Sequence, residues 1–176
     1  ETFENDVVTT LVKGAYNCLY IGSLRGGAKE LNLTSNKLHD LLSVDENEEP
    51  VLCRNLLVAS DNELWIGAES GIYIYNLRMG KYVHLRSSIN DPYSLSDNAI
   101  YSLCKDREGG IWIGSYFGGV NYYPRFHTYF EKYYPKGTNN GLHGKRVREF
   151  CQDNQGILWI GTEDGGLNRF DPKTKT

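Results

Sequence analysis

The sequence predicts an all-β fold: a β-propeller fragment of about four blades, each a four-stranded antiparallel sheet, in a repeat of about 47 residues. Three observations predict it. The first is a hairpin signal at residues 153–167, where an Asp-Asn-Gln-Gly turn leads into the apolar run Leu158-Trp159-Ile160-Gly161 and then Gly165-Gly166-Leu167. The second is repetition: Ile111-Trp112-Ile113-Gly114, Leu64-Trp65-Ile66-Gly67 and Leu19-Tyr20-Ile21-Gly22 say the same thing. The third is spacing, since 45 residues separate Tyr20 from Trp65, and 47 separate Trp65 from Trp112 and Trp112 from Trp159. Helical repeats of similar length are excluded because no stretch sustains a period of 3.6, while β-branched and aromatic residues crowd into short runs between Gly and Asp turns.

The repeated strand is apolar throughout rather than alternating, as expected where both faces of a sheet are covered by neighbouring sheets. Gly22, Gly67, Gly114 and Gly161 share one register, which suits a place where backbones approach too closely for a Cβ. Tyr20, Trp65, Trp112 and Trp159 are therefore read first as structural. Burying one Trp removes about 150–250 Å² from water, an upper bound of about 4–6 kcal/mol each.

Taken in order, residues 7–12 predict the innermost strand of a first blade (1–36), followed by a hairpin over 17–33. The second blade (37–85) begins with the polar, acidic stretch 37–50, read as an outer strand and a solvated loop. It continues with a strand through Leu56, Leu57, Val58 and Ala59 and a turn at Asp61-Asn62-Glu63, two residues shorter than its counterparts. Tyr73-Ile74-Tyr75 and residues 82–85 complete it. The third blade (86–134) opens on a turn-rich linker at 90–98, with Leu95 as an anchor, and the innermost strand 99–105. Its outer strand is expected within 127–134. The fourth blade (135–176) places its innermost strand at 146–152 and lacks an outer strand. Either such a fragment closes as a small four-bladed ring, or its exposed apolar faces and sheet edges meet another chain; self-association is predicted, or contact with remaining blades or domains of a parent chain.

Composition narrows the function. The chain has 176 residues, 40% apolar and 23% charged, with 19 basic against 22 acidic side chains, so no basic nucleic-acid face is expected. No apolar run approaches the roughly 18–20 residues that span a bilayer. The sequence begins at Glu1 without an initiator Met or a signal segment, as expected of a piece of something longer. Cys18, Cys53, Cys104 and Cys151 form no C-x-x-C pair and are read as small buried hydrophobes.

The pattern Asp-x-x-Gly-x-Leu-Trp-Ile-Gly-Thr-x-x-Gly-Gly-Leu-x-x-Phe-Asp, filled by residues 153–171, closely resembles the two-component regulator propeller repeat. Asn90-Asp91-Pro92-Tyr93-Ser94-Leu95 resembles that family's segment between blades. The first repeat departs, with Tyr20 in place of Trp and no Asp-x-x-Gly turn before it. The resemblance implies the periplasmic sensor region of a hybrid two-component protein of gut bacteria, anchored in the inner membrane. In the family's plan, propellers precede a β-sandwich, one membrane span, and histidine kinase, receiver and DNA-binding domains. It further implies sensing of glycan-derived oligosaccharides and control of polysaccharide-utilisation genes, with no cofactor. The signalling domains lie outside these residues.

Residue patterns for reaction chemistry are sparse in this sequence. His39, His84, His127 and His143 show no HxxH or HExxH spacing, G-x-S-x-G is missing, and the turns at Asp106 and Asp153 fall short of a calcium loop. No metal or catalytic residue is assigned. A catalytic propeller, such as a glycan hydrolase or lyase, is the alternative, and it would need two carboxylates about 5–10 Å apart. For binding, the turn after the repeated strand is the place to look: Leu24-Arg25, Glu69-Ser70, Tyr116-Phe117 and Glu163-Asp164 occupy it in successive repeats. Tyr116 and Phe117 would stack on a sugar ring while Arg25, Glu69, Glu163 and Asp164 bond hydroxyls. The plain alternative is that all six are solvated turn residues.

Overall fold

The computed structural model describes residues 6–91, 93–125, 133 and 141–174, and every regular element among them is a β-strand. The chain forms two units, Glu1–Phe126 and His127–Thr176, described separately.

The first unit holds three antiparallel meanders. The first runs β1 (Val8–Lys13), β2 (Cys18–Ser23), β3 (Gly27–Asn32) and β4 (Lys37–Leu42); the second runs β5 (Cys53–Ser60), β6 (Glu63–Ala68), β7 (Gly71–Asn76) and β8 (Lys81–Leu85). The third comprises β9 (Ile100–Lys105), β10 (Ile111–Ser115) and β11 (Val120–Tyr123). In the second unit β12 (Val147–Gln152), β13 (Leu158–Thr162) and β14 (Gly166–Phe170) form one more meander. The expected all-β architecture of repeated antiparallel sheets is what the chain adopts. The outer strand expected within 127–134 falls, Tyr133 apart, outside the described residues.

The Asp-x-x-Gly-x-x-Trp spacing has a physical cause. Asp153 Oδ1 accepts the N–H groups of Gln155 at 2.9 Å and Ile157 at 3.0 Å, and Oδ2 accepts the Trp159 indole N–H at 2.9 Å. Asp106 does the same for Glu108 at 2.9 Å, Gly110 at 2.8 Å and the Trp112 indole at 3.1 Å. The turn requires a left-handed residue three positions on, supplied by Gly109 at φ 90° and Gly156 at φ 84°. One carboxylate thus closes the turn and fixes the indole rotamer. In the second sheet, where the turn is shorter, Glu63 reaches the Trp65 indole at 2.7 Å instead.

Two apolar layers hold the first unit together. Between the first and second sheets lie Tyr20, Ala28, Leu42, Cys53, Leu56, Leu64 and Ile66; between the second and third lie Trp65, Ile72, Leu95, Ile100, Ile111 and Ile113. Leu95 is the expected anchor. Trp65 is fully buried, with the Tyr123 ring packed edge-on at 5.1 Å. A Cβ on Gly22 would stand 2.6 Å from Cys53 Sγ, and one on Gly67 would stand 2.9 Å from Ile100 Cγ2. At both places the innermost strand of the following sheet crosses the glycine.

The structure corrects several expectations. Trp112 is 47% exposed and Trp159 half-buried, so the indole series is not uniformly core. Trp65 owes its burial to the sheet that follows it, and among the described residues of the first unit no further sheet follows the one bearing Trp112. Cys104 and Cys151 are exposed free thiols, whereas Cys18 and Cys53 are buried. Cys104 and Cys151 pair across the ladder with Trp112 and Trp159 and share their side of the sheet. At Gly114 the close neighbour is the Ser102 hydroxyl of the same sheet, and at Gly161 a Cβ would meet Glu149 O at a comfortable 3.7 Å.

The stretch 43–50 is more than a solvated loop. Val44 bridges Pro50, and Asp45 Oδ1 accepts the N–H groups of Asn47 at 2.8 Å and Glu49 at 3.1 Å. This is the same Asx turn as at 106 and 153, with Glu48 taking the glycine position at φ 63°.

Candidate functional site: a rim of bulge residues and turns

Each sheet's innermost strand carries a β-bulge beside the glycine of the repeated strand, and β5 has a second irregularity between Val58 and Ser60. The ladder skips one residue between Val8 and Thr10, Cys53 and Asn55, Ile100 and Ser102, and Val147 and Glu149. The bulged residues are therefore Thr9, Arg54, Tyr101 and Arg148. A bulge re-aims the extra side chain along the strand instead of into a face, which is why such positions gather at sites.

The turn facing each bulge is held identically in all four repeats. Leu24, Glu69, Tyr116 and Glu163 donate backbone N–H groups to the carbonyls of Val7, Leu52, Ala99 and Arg146, at 3.0, 3.3, 2.9 and 3.0 Å. This brings bulge and turn side chains into pairs. Arg54 Nε donates to Glu69 Oε1 at 2.6 Å, the Tyr101 and Tyr116 rings lie 5.1 Å apart, and Arg148 bonds Glu163. In the first sheet Thr9 Oγ1 bonds backbone instead, donating to Cys53 O at 2.8 Å.

Neighbouring pairs in the first unit merge into one patch. The Arg54 guanidinium lies 4.9 Å above the Tyr101 ring, the Tyr101 hydroxyl donates to Glu69 Oε1 at 3.2 Å, and Phe117 stands edge-on to Tyr116 at 4.4 Å. A cation over an aromatic face is worth about 0.5–1 kcal/mol at an exposed site. Desolvation raises the Tyr101 phenol above its usual range, and the Glu69 carboxylate adds to the rise, so the hydroxyl stays a donor at neutral pH. Tyr116 and Phe117 remain mostly exposed, at 60% and 85%. The Asp97 carboxylate holds their turn by accepting the Phe117 N–H at 2.9 Å, and that amide holds its pKa below the usual carboxylate value.

Of the sequence-predicted residues, Glu69, Tyr116 and Phe117 converge on this patch. Arg25 sits on the equivalent turn of the first sheet, its backbone N–H donating to Asp6 Oδ1 at 2.9 Å. In the second unit Glu163 pairs with Arg148, with Arg146 3.7 Å from its other oxygen. Asp164 is turned to the backbone, where Oδ1 accepts the N–H groups of Lys145 at 2.9 Å and Arg146 at 3.3 Å. The Arg146 amide is the main cause of its lowered pKa. Arg54, Tyr101 and Arg148 were missed by sequence reasoning. The available signal was their spacing, the same 47 residues that separate the tryptophans.

Repeated four- and three-stranded meanders with a bulged innermost strand define a β-propeller repeat protein. The sequence model of the family described as "Two component regulator propeller" matches residues 94–117 and 141–164, so these two stretches are similar to repeats of that family. No curated protein matches it. Among solved structures, the extracellular domain of a putative hybrid two-component system from B. thetaiotaomicron is 28% identical, with a TM-score of 0.58 over 94% of this chain. The extracellular domain of a putative one-component system from B. thetaiotaomicron is 23% identical, with a TM-score of 0.60 over 96% of this chain, and shows the fold alone. The chain spans 21% of the first of these and 22% of the second. The first is an extracellular domain, which is consistent with an extracytoplasmic location for these repeats.

Proposed function

We propose that this segment is a non-catalytic recognition element in the periplasmic sensor region of a hybrid two-component signalling protein, and that its ligand is a glycan-derived oligosaccharide. The observation that carries this reading is the Arg54–Glu69–Tyr101–Tyr116–Phe117 patch. Exposed aromatic rings cover the C–H face of a pyranose at little entropic cost, while a held guanidinium and carboxylate bond its hydroxyls with fixed geometry. The family repeats and the extracellular two-component neighbours support the signalling context. In that context the parent chain is anchored in the inner membrane, carries a histidine kinase, and regulates polysaccharide-utilisation genes.

Calorimetry with a panel of neutral and acidic oligosaccharides tests the reading. Saturable binding by the wild type, weakened in Tyr116→Ala, supports it. Affinity unchanged in Tyr116→Ala removes that residue from the site, and hydrolysis of any panel member overturns the non-catalytic assignment.

A further inference from the structure

We propose that Asp45, Glu46 and His84 form a binding site for a divalent transition metal of the zinc class, which staples the loop between the first two sheets to the outer strand β8. One ligand atom from each residue lies within 4.8 Å of the others. The two carboxylates come from the Asx turn at 45–49, and the imidazole comes from β8, 38 residues later.

The imidazole supplies the argument beyond the acidic pair. Its side chain is 7% exposed and stacks on the Tyr73 ring at 3.9 Å, which locks its orientation. His84 Nε2 lies 3.0 Å from the carbonyl oxygen of Ser70. A carbonyl only accepts, so Nε2 carries the hydrogen, and in the neutral ring the lone pair belongs to Nδ1. That atom points at Glu46 Oε1, 3.4 Å away. In the neutral ring two lone pairs would face each other beside the buried imidazole, an arrangement relieved by a cation, either a second ring proton or a metal ion, and the zinc titration below separates the two.

The distance suits a metal. Two ligands at about 2.0–2.1 Å from a tetrahedral zinc stand about 3.3–3.4 Å apart. The supporting hydrogen bonds are those that metal sites use: a backbone carbonyl on the second ring nitrogen, the Tyr82 hydroxyl on Glu46 Oε2 at 2.8 Å, and two backbone amides on Asp45 Oδ1. At positions 106 and 153 the second oxygen of the turn aspartate holds an indole; after Asp45 the corresponding residue is Val51, so that duty is absent. Two carboxylates balance a doubly charged ion, and one imidazole nitrogen with so few oxygens favours zinc over calcium or magnesium. Sequence spacing could not show this, because the turn and the strand meet only through the meander. The bond to Ser70, next to Glu69, would also stiffen the turn that carries the rim carboxylate.

The test is calorimetric titration of chelator-stripped protein with zinc chloride, in a Cys104→Ser/Cys151→Ser background that removes the exposed thiols. One equivalent should bind saturably, and zinc should raise the thermal midpoint. Glu46→Gln and His84→Ala should each weaken binding by about tenfold or more, while Glu49→Gln should not. Glu46 is exposed, so its variant remains informative if His84→Ala does not fold. No saturable zinc binding, or equal binding by Glu46→Gln and the background protein, overturns the proposal.

Discussion

Trp159 donates its indole N–H to Asp153 Oδ2 at 2.9 Å, six residues back, across the turn that the same carboxylate closes. The repeat signature is therefore a hydrogen-bonding unit, in which an aspartate, a left-handed glycine and an indole depend on each other. Trp112 and Asp106 repeat it.

This relationship predicts an acid-sensitive hairpin. The Trp159 N–H is the main cause holding the Asp153 carboxyl below its ordinary 3.8, with the amides of Ile157 and Gln155 adding to it against desolvation. A carboxyl depressed on folding stabilises above its unfolded value and loses that contribution as pH falls through the folded one. Asp153→Ala should lower the denaturant midpoint at pH 7, and the gap from wild type should close as pH falls below 3.8. A gap independent of pH would contradict it.

Gly67→Ala should destabilise by about 1–3 kcal/mol, the usual cost of overpacking, because its Cβ would stand 2.9 Å from Ile100 Cγ2. Gly161→Ala, with 3.7 Å to its nearest neighbour, should cost markedly less. Equilibrium unfolding of both variants separates a packing role from mere repetition.

Native thiol titration should reach two cysteines per chain quickly and all four only after denaturation. Cys104 and Cys151 are exposed. Burial pushes the Cys53 thiol up to about 12, and burial followed by the nearby Glu30 carboxylate raises Cys18, so neither offers thiolate at neutral pH. Fast reaction of all four would show that the sheets open readily.

Arg54→Ala should weaken oligosaccharide binding by up to about tenfold, a loss of about 1.4 kcal/mol. It removes the hydrogen bond to Glu69 and the cation over Tyr101 together. Calorimetry against Tyr116→Ala and the double variant should reveal non-additive losses, as expected of residues in contact.

Trp112, Val120 and Tyr122 share one face of the third sheet and are exposed. The equivalent face of the second sheet, bearing Trp65, is covered. The segment should self-associate, with a light-scattering mass that rises with concentration; a concentration-independent mass of one chain would refute this.

The sequence by itself determined the repeat, the strand order within each meander, and the turn chemistry, because Asp, Gly and Trp at fixed offsets act within about a dozen residues of each other. It also marked Glu69, Tyr116 and Phe117 as turn residues on one repeated position. Only the tertiary structure decided which indoles are buried, since that depends on whether another sheet lies against them: Trp65 is covered and Trp112 is not. The same holds for the partners of those turns. A bulge leaves no mark in hydropathy, so although Arg54, Tyr101 and Arg148 recur at the repeat spacing, their pairing with the turns emerges only when the strands pair, and His84 meets Asp45 and Glu46 only when a four-stranded meander folds back on the loop before it.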